Sequence, residues 1–317
     1  MTSRIIFIGA GEADAERFAA KARADFPGIE LFATNDRSAA LHAAPQAEAL
    51  IGHHYQFDDE LLVTAGRLRW IQSLTTGTDA ILKLKSLRPE VIVTSTRGMH
   101  GPQMSELVFL QMLALLRDFP RMQRNQAAHR WERRPQPLLS GKTIVIVGVG
   151  AISETLAPRC KIFGMSVYGV SESPRQPAGF DRIFSRADIQ QAAAAADFLV
   201  LIVPHSPQTE GLIDAQVLAA MKPSAYLINV ARGGVLDEDA LLAALRAKRI
   251  AGAALDVFRQ SPLPPQHPLW DEPGLIITPH IGGMSDIYLE QAYPVVRDNL
   301  RAFLSGAIAE MNNVVPH

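Results

Sequence analysis

The run TIVIVGVGAIS (Thr143 to Ser153) constrains this chain more than any other segment. A β-branched stretch of strand length runs directly into Gly148 and Gly150, and a helical pattern follows from about residue 152 to 165. A strand ending in G-x-G-x-x-small before a helix is a turn that cradles a pyrophosphate. The first glycine permits the tight turn, the second lets backbone approach the phosphates, and the helix N-terminus supplies donors and a favourable dipole. Ala151 and Ile152 complete the turn, and Ser153 takes the third small position. Serine adds one heavy atom to alanine, so helix-to-strand packing is expected to survive with a small shift. Pro158, inside the helix, removes a backbone hydrogen bond and predicts a kink.

Strand and helix signals alternate on both sides of this turn. Downstream, strands are expected at 167–170, 198–203, 225–230, 252–257 and 275–278, with helices at 214–221 and 237–248. Upstream, RIIFIG, ELFAT, EALIG, RWIQSL and VIVTS alternate with polar, Ala-rich segments. Such an order implies parallel sheets, hence an α/β chain with two doubly wound domains. A pattern over 103–119 is apolar on nearly every side, so both faces need cover, from a core or from a second copy. The basic, Pro-containing stretch 130–142 reads as a linker, and SPLPPQHP (261–268) as a loop. A last helix, 286–304, is expected to return to the first domain.

Composition excludes several functions. Thirty-one Lys and Arg against 32 Asp and Glu leave a formal charge of −1, which offers nucleic acid or an anionic membrane no general attraction. The lone Cys160 can close no intrachain disulfide and build no thiolate metal site, so no metal is expected and the cytoplasm is the expected compartment. No stretch approaches the roughly 18 uninterrupted apolar residues of a membrane span, and Ile5 to Ile8 is too short for a signal-peptide core.

Three clusters at strand ends carry the chemistry. About 20 residues beyond the glycine turn, where a carboxylate would hold the adenosine ribose, stand Ser171, Glu172, Ser173 and Arg175. Ser171 and Arg175 favour a 2′-phosphate, hence NADP, whereas Glu172 suits the 2′-hydroxyl of NAD; the balance leans slightly to NADP. Arg232 offers a planar fork suited to a carboxylate or a polarised carbonyl. His280 carries a proton available near neutral pH.

ARGGVLDEDALLAAL, ALDVF, PLPPQHPLWDEPGLIITPHIGG and the GVGAI turn, in this order, resemble the D-isomer-specific 2-hydroxyacid dehydrogenases. LTTGTDAI and STRGMHGPQMSELVF resemble the glyoxylate and hydroxypyruvate reductase branch of that family. The resemblance covers essentially the whole chain. It implies a Rossmann NAD(P)-binding domain (99–283) inserted in a flavodoxin-like substrate domain (1–98 plus 284–317), an active site in the cleft between them, and a homodimer. It further implies that backbone around Thr76, Gly77 and Thr78 receives the carboxylate of a small 2-oxo acid. Arg232 would bind and polarise that substrate, and His280 would act as the acid/base. Asp256 would lie near the nicotinamide carboxamide and Pro204 beside the ring or ribose. Thr209, Val230, Ala231 and Gly282 complete the expected cofactor-binding set.

One position departs from the family pattern. Ser261 stands where a glutamate precedes P-L-P and pairs with the catalytic histidine. A neighbouring carboxylate raises a histidine pKa by roughly 1 to 3 units, each about 1.4 kcal/mol. Without it, His280 is expected to titrate lower, unless Asp271 or Glu272 substitutes. The leading expectation is therefore an NAD(P)H-dependent 2-keto acid reductase. The alternative is a catalytically weakened dinucleotide-binding regulator, and oxidation of another small anion such as phosphite ranks third.

Overall fold

A computed structural model describes residues 4–173 and 175–317, so residues 1–3 of the expected first domain lie outside the described residues. The chain divides into two compact units, Met1–Met99 with Ser285–His317, and His100–Met284.

In the first unit the β-branched runs become β1 (Arg4–Ile8), β2 (Glu30–Thr34), β3 (Ala49–Gly52), β4 (Trp70–Ser73) and β5 (Ile92–Thr94). Between them lie α1 (Glu12–Asp25), α2 (Arg37–Ala43), α3 (Asp59–Thr64) and α4 (Asp79–Leu82). All pairings are parallel, in the order β2-β1-β3-β4-β5. This is a flavodoxin-like order, with its switch point between β1 and β3.

The second unit opens with α5 (Gly101–Arg117) and α6 (Phe119–Ala127). It continues through β6 (Thr143–Val147), α7 (Ala151–Ile162), β7 (Ser166–Val170), β8 (Arg182–Phe184), α8 (Ile189–Ala195) and β9 (Phe198–Leu201). It ends with α9 (Ala215–Ala220), β10 (Tyr226–Asn229), α10 (Glu238–Arg246), β11 (Gly252–Leu255) and β12 (Leu275–Ile277). Its seven parallel strands run β12-β11-β10-β9-β6-β7-β8, a doubly wound Rossmann order whose switch point lies between β6 and β9.

Two apolar clusters in each unit explain why the strands read as nearly continuous hydrophobic runs. Alternate residues of one strand, such as Val145 and Ile146, enter different clusters, so each sheet is covered on both faces. Each fully buried aliphatic side chain contributes about 1.5–3 kcal/mol. The last helix, α11 (Tyr288–Ser305), joins the first unit through Leu289, Ala292, Val296, Leu300 and Phe303, a helical spacing along one face.

Three elements are additions to the sequence expectation. α8 is an alanine tract with little amphipathic contrast, β8 is only three residues at a sheet edge, and α6 is polar with no buried residue. Pro158 does not end α7, which runs on to Ile162. The turn at Gly179 packs on that side, where a Cβ would stand 3.0 Å from the proline nitrogen.

Candidate active site

The glycine turn sits at the switch point of the seven-stranded sheet. Gly148 has φ +106°, and a Cβ there would lie 2.8 Å from the Val203 Cα and nitrogen, so only glycine fits between the ends of β6 and β9. Gly150 is extended (φ −157°), and a Cβ on it would meet nothing within 4 Å. Open space thus lies before α7, whose first N–H groups have no acceptor within the helix. This cradle fits the pyrophosphate of a dinucleotide. Ser153 is fully buried; its Oγ accepts from the Gly150 N–H (2.8 Å) and donates to the Gly150 carbonyl (2.9 Å). Its hydroxyl thereby clamps the turn.

At the end of β7, Ser171 Oγ accepts from the Ser173 N–H (3.0 Å). Glu172 is 3.5 Å from Arg186, and Arg175 binds Glu154 of α7 at 2.5 Å. Two guanidinium groups therefore accompany this strand end. Arg186 escaped sequence reasoning because it reaches Glu172 from beyond β8, with no local spacing to mark it.

Beyond β9, Thr209 is 2% exposed, and its hydroxyl donates to the Pro204 carbonyl (2.8 Å) and accepts from the Ser206 N–H (2.8 Å). Thr209 shapes the Pro204 loop from within. Val230 and Ala231 are buried at the end of β10. The half-buried Arg232 follows, its Nη1 donating to the Ala231 carbonyl (2.7 Å). Next to it, a Cβ on Gly234 would touch His205 and Glu210, which are hydrogen-bonded to each other; Glu210 also binds Arg259 at 2.9 Å. Sequence reasoning missed this cluster, since its members come from separate loops.

Asp256, at the end of β11, is 1% exposed. Its carboxylate accepts from Thr278 Oγ1 (2.6 Å), the Ile281 N–H (3.0 Å) and the Gly282 N–H (2.9 Å), and its carbonyl from the His280 N–H (2.9 Å). This carboxylate braces the His280 loop. His280 itself adopts the left-handed conformation (φ 55°), a local strain that the brace maintains. Desolvation first, then the charge of Arg232, holds its pKa below the ordinary histidine value, and Asp256 opposes them. Ser261 is exposed and brings no charge. The buried side chain of Glu272 is bound to Arg246 (3.2 Å), and the carboxylate that acts on His280 is Asp256.

Thr76, Gly77 and Thr78 lie in the other unit, on the loop between β4 and α4. Thr75 Oγ1 donates to the Gly77 carbonyl (2.8 Å) and lies 2.8 Å from Ser73 Oγ and 3.2 Å from His54 Nδ1. Among the described residues, no cluster of three or more His, Cys, Asp or Glu could hold a metal, and no helix is long and apolar enough to cross a membrane.

The sequence profile of the D-isomer specific 2-hydroxyacid dehydrogenase NAD binding domain matches residues 109–282. Glyoxylate/hydroxypyruvate reductase A of Serratia proteamaculans is 36% identical over 236 residues, 71% of this chain and 74% of the relative. A D-isomer specific 2-hydroxyacid dehydrogenase family protein from Aeromonas salmonicida superposes with a TM-score of 0.92 at 33% identity, covering 99% of both chains. The NADPH-dependent glyoxylate/hydroxypyruvate reductase of Sinorhizobium meliloti, in complex with NADP and sulfate, gives 0.86 at 27% identity, covering 99% of this chain and 98% of that one. With a profile match across more than half its length and relatives alike over most of theirs, the chain belongs to the D-isomer specific 2-hydroxyacid dehydrogenase family.

Proposed function

We propose that this protein reduces a small 2-oxo acid of the glyoxylate or hydroxypyruvate type to the D-2-hydroxy acid. The observation that carries the reading is the coupling of Arg232, Asp256 and His280 at strand ends of the sheet that also holds the glycine turn. A dinucleotide bound at Gly148, Gly150 and α7 supplies the hydride. The remaining chemistry belongs to the chain. Backbone at Thr76–Thr78 receives the carboxylate, Arg232 fixes the substrate and polarises the C2 carbonyl, and His280 gives its proton to the carbonyl oxygen. In this reading residues 99–283 form the nucleotide domain and 1–98 with 284–317 the substrate domain.

NADPH is the proposed reductant, because Ser171 replaces the ribose-binding carboxylate while Arg175 and Arg186 bring positive charge to the strand end. We assign a homodimer to the second unit, where Leu110, Trp131, Leu138 and Ile162 are all at least 59% exposed. The cytoplasm is the proposed compartment, in keeping with the single buried thiol of Cys160, which burial pushes up to about 12.

The test is oxidation of NADPH or NADH, followed at 340 nm with glyoxylate and hydroxypyruvate at acidic and neutral pH. Turnover that His280→Ala lowers by about 10²–10⁴-fold, the usual worth of a general acid, supports the reductase. Cofactor binding without any turnover would instead support the regulatory alternative, in which Ser261 marks a lost activity.

A further inference from the structure

Within the seven-stranded unit, α5 packs behind the His280 loop. A Cβ on Gly282 would stand 2.8 Å from Leu107 Cδ2, 3.0 Å from Met104 Sδ and 3.0 Å from Asp256 Oδ2, so the loop passes tightly between the helix and that carboxylate. Gln103 Nε2 donates to the Gly283 carbonyl (3.4 Å), and Gln111 Nε2 donates to Thr278 Oγ1 (3.2 Å). Gln103, Leu107 and Gln111 are spaced four residues apart, so one face of α5 meets both the strand end before His280 and the turn after it.

Gln111 is the member of this face that packing does not explain. It is fully buried on a helix whose other buried positions include Leu107, Val108, Met112 and Leu115, and its Oε1 has no hydrogen-bond partner among the described residues. A buried amide with one end unsatisfied opposes folding, whereas a methionine of similar size would not. What Gln111 does have is its bond to Thr278, and that bond has a direction. An amide nitrogen only donates and a carboxylate only accepts, so the single hydroxyl proton of Thr278 is directed to Asp256 Oδ1 (2.6 Å). The same carboxylate takes the Ile281 and Gly282 N–H groups, which directly follow the left-handed backbone of His280.

We infer that Gln111 is a positioning residue for the reaction: through Thr278 it fixes the Asp256 carboxylate, which holds the His280 loop in its strained conformation and the imidazole where it delivers its proton. The inference rests on the proposed reductase activity. The fold gives up stability at Gln111 for this alignment.

The experiment measures kcat, KM and thermal unfolding, with NADPH and glyoxylate or hydroxypyruvate, for Gln111→Met, Thr278→Val, the double variant and Thr278→Ser. Methionine fills the space of the glutamine without its hydrogen bond, so kcat is expected to fall about tenfold while melting stays equal or rises. KM should stay within about twofold, because Arg232 still holds the substrate. Thr278→Val breaks the same chain, so the double variant should lose no more than the worse single one. Thr278→Ser keeps the hydroxyl and should recover most of what valine loses. A kcat within about twofold of wild type in Gln111→Met, or losses that multiply in the double variant, overturns the role. A loss of kcat accompanied by a lower melting temperature overturns it too, since Gln111 would then be a packing residue. Wild-type protein that reduces neither acid overturns the reductase reading itself, and the Gln111 role with it.

Discussion

The two parallel sheets prepare their C-terminal edges by different means. In the seven-stranded unit the edge is made of backbone: Gly148 left-handed against Val203, Gly150 extended before α7, and the His280 loop held by its own N–H groups. Three buried side chains there, Ser153, Thr209 and Asp256, are spent on bracing the loops. In the five-stranded unit the edge is made of side chains, with His54, Ser73, Thr75 and Tyr288 tied into a polar seam. An edge built from backbone tolerates few residue types at its tight points, whereas a side-chain edge can be rebuilt with other partners.

Gly148→Ala and Gly150→Ala test the backbone edge with the largest expected effect. The first puts a Cβ at 2.8 Å from immobile backbone in a left-handed conformation, a strain of roughly 1–3 kcal/mol before the clash is counted. At roughly 2–4 °C per kcal/mol for a unit of this size, unfolding is expected at least about 5 °C lower. The second fills empty space in an extended conformation, so melting should stay within about 1 °C while NADPH affinity falls by an order of magnitude or more. Thermal unfolding with and without NADPH separates the two. Equal melting curves for both variants would break the division between a glycine needed for the fold and one needed for the ligand.

This division also explains what was legible in the sequence. Gly148 announced itself because its left-handed backbone and the approach of Val203 exclude other residues, and the strands did because both sheet faces are buried. The role of Ser153 was not legible. Size alone predicted packing that survives with a small shift, while the clamp depends on where the hydroxyl finds partners. The bracing task of Asp256 was not legible either, because it needs Thr278, Ile281 and Gly282 from the following strand end.

An intermediate effect is expected where the backbone edge meets the acid. In the proposed mechanism reduction requires protonated His280, so activity is expected below its pKa and lost as pH rises through it. Asp256 raises that pKa against desolvation and Arg232. Asp256→Asn removes the negative charge and leaves an N–H of the loop without its acceptor, which costs about 1–3 kcal/mol. Its kcat/KM profile for reduction should move to lower pH. Ser261→Glu returns a carboxylate at the family's position and should move the profile to higher pH by roughly 1–3 units. Profiles that coincide with wild type in both variants would show that His280 is not the titrating acid.

Ser153→Ala carries the smallest expected effect and addresses the backbone edge most directly. Alanine keeps the packing at a fully buried site but removes both hydrogen bonds to Gly150, a loss of about 1 kcal/mol. Without cofactor, melting should fall by roughly 2–4 °C. The orphaned Gly150 N–H then needs an acceptor at the mouth of the turn. If a phosphate oxygen supplies one, saturating NADPH should narrow the gap to wild type, because the ligand satisfies a donor that the wild-type protein had already satisfied internally. An identical gap with and without NADPH would mean that this N–H faces the protein alone. The clamp by Ser153 would then be a device of the fold, and the donors for the pyrophosphate would begin at Ala151.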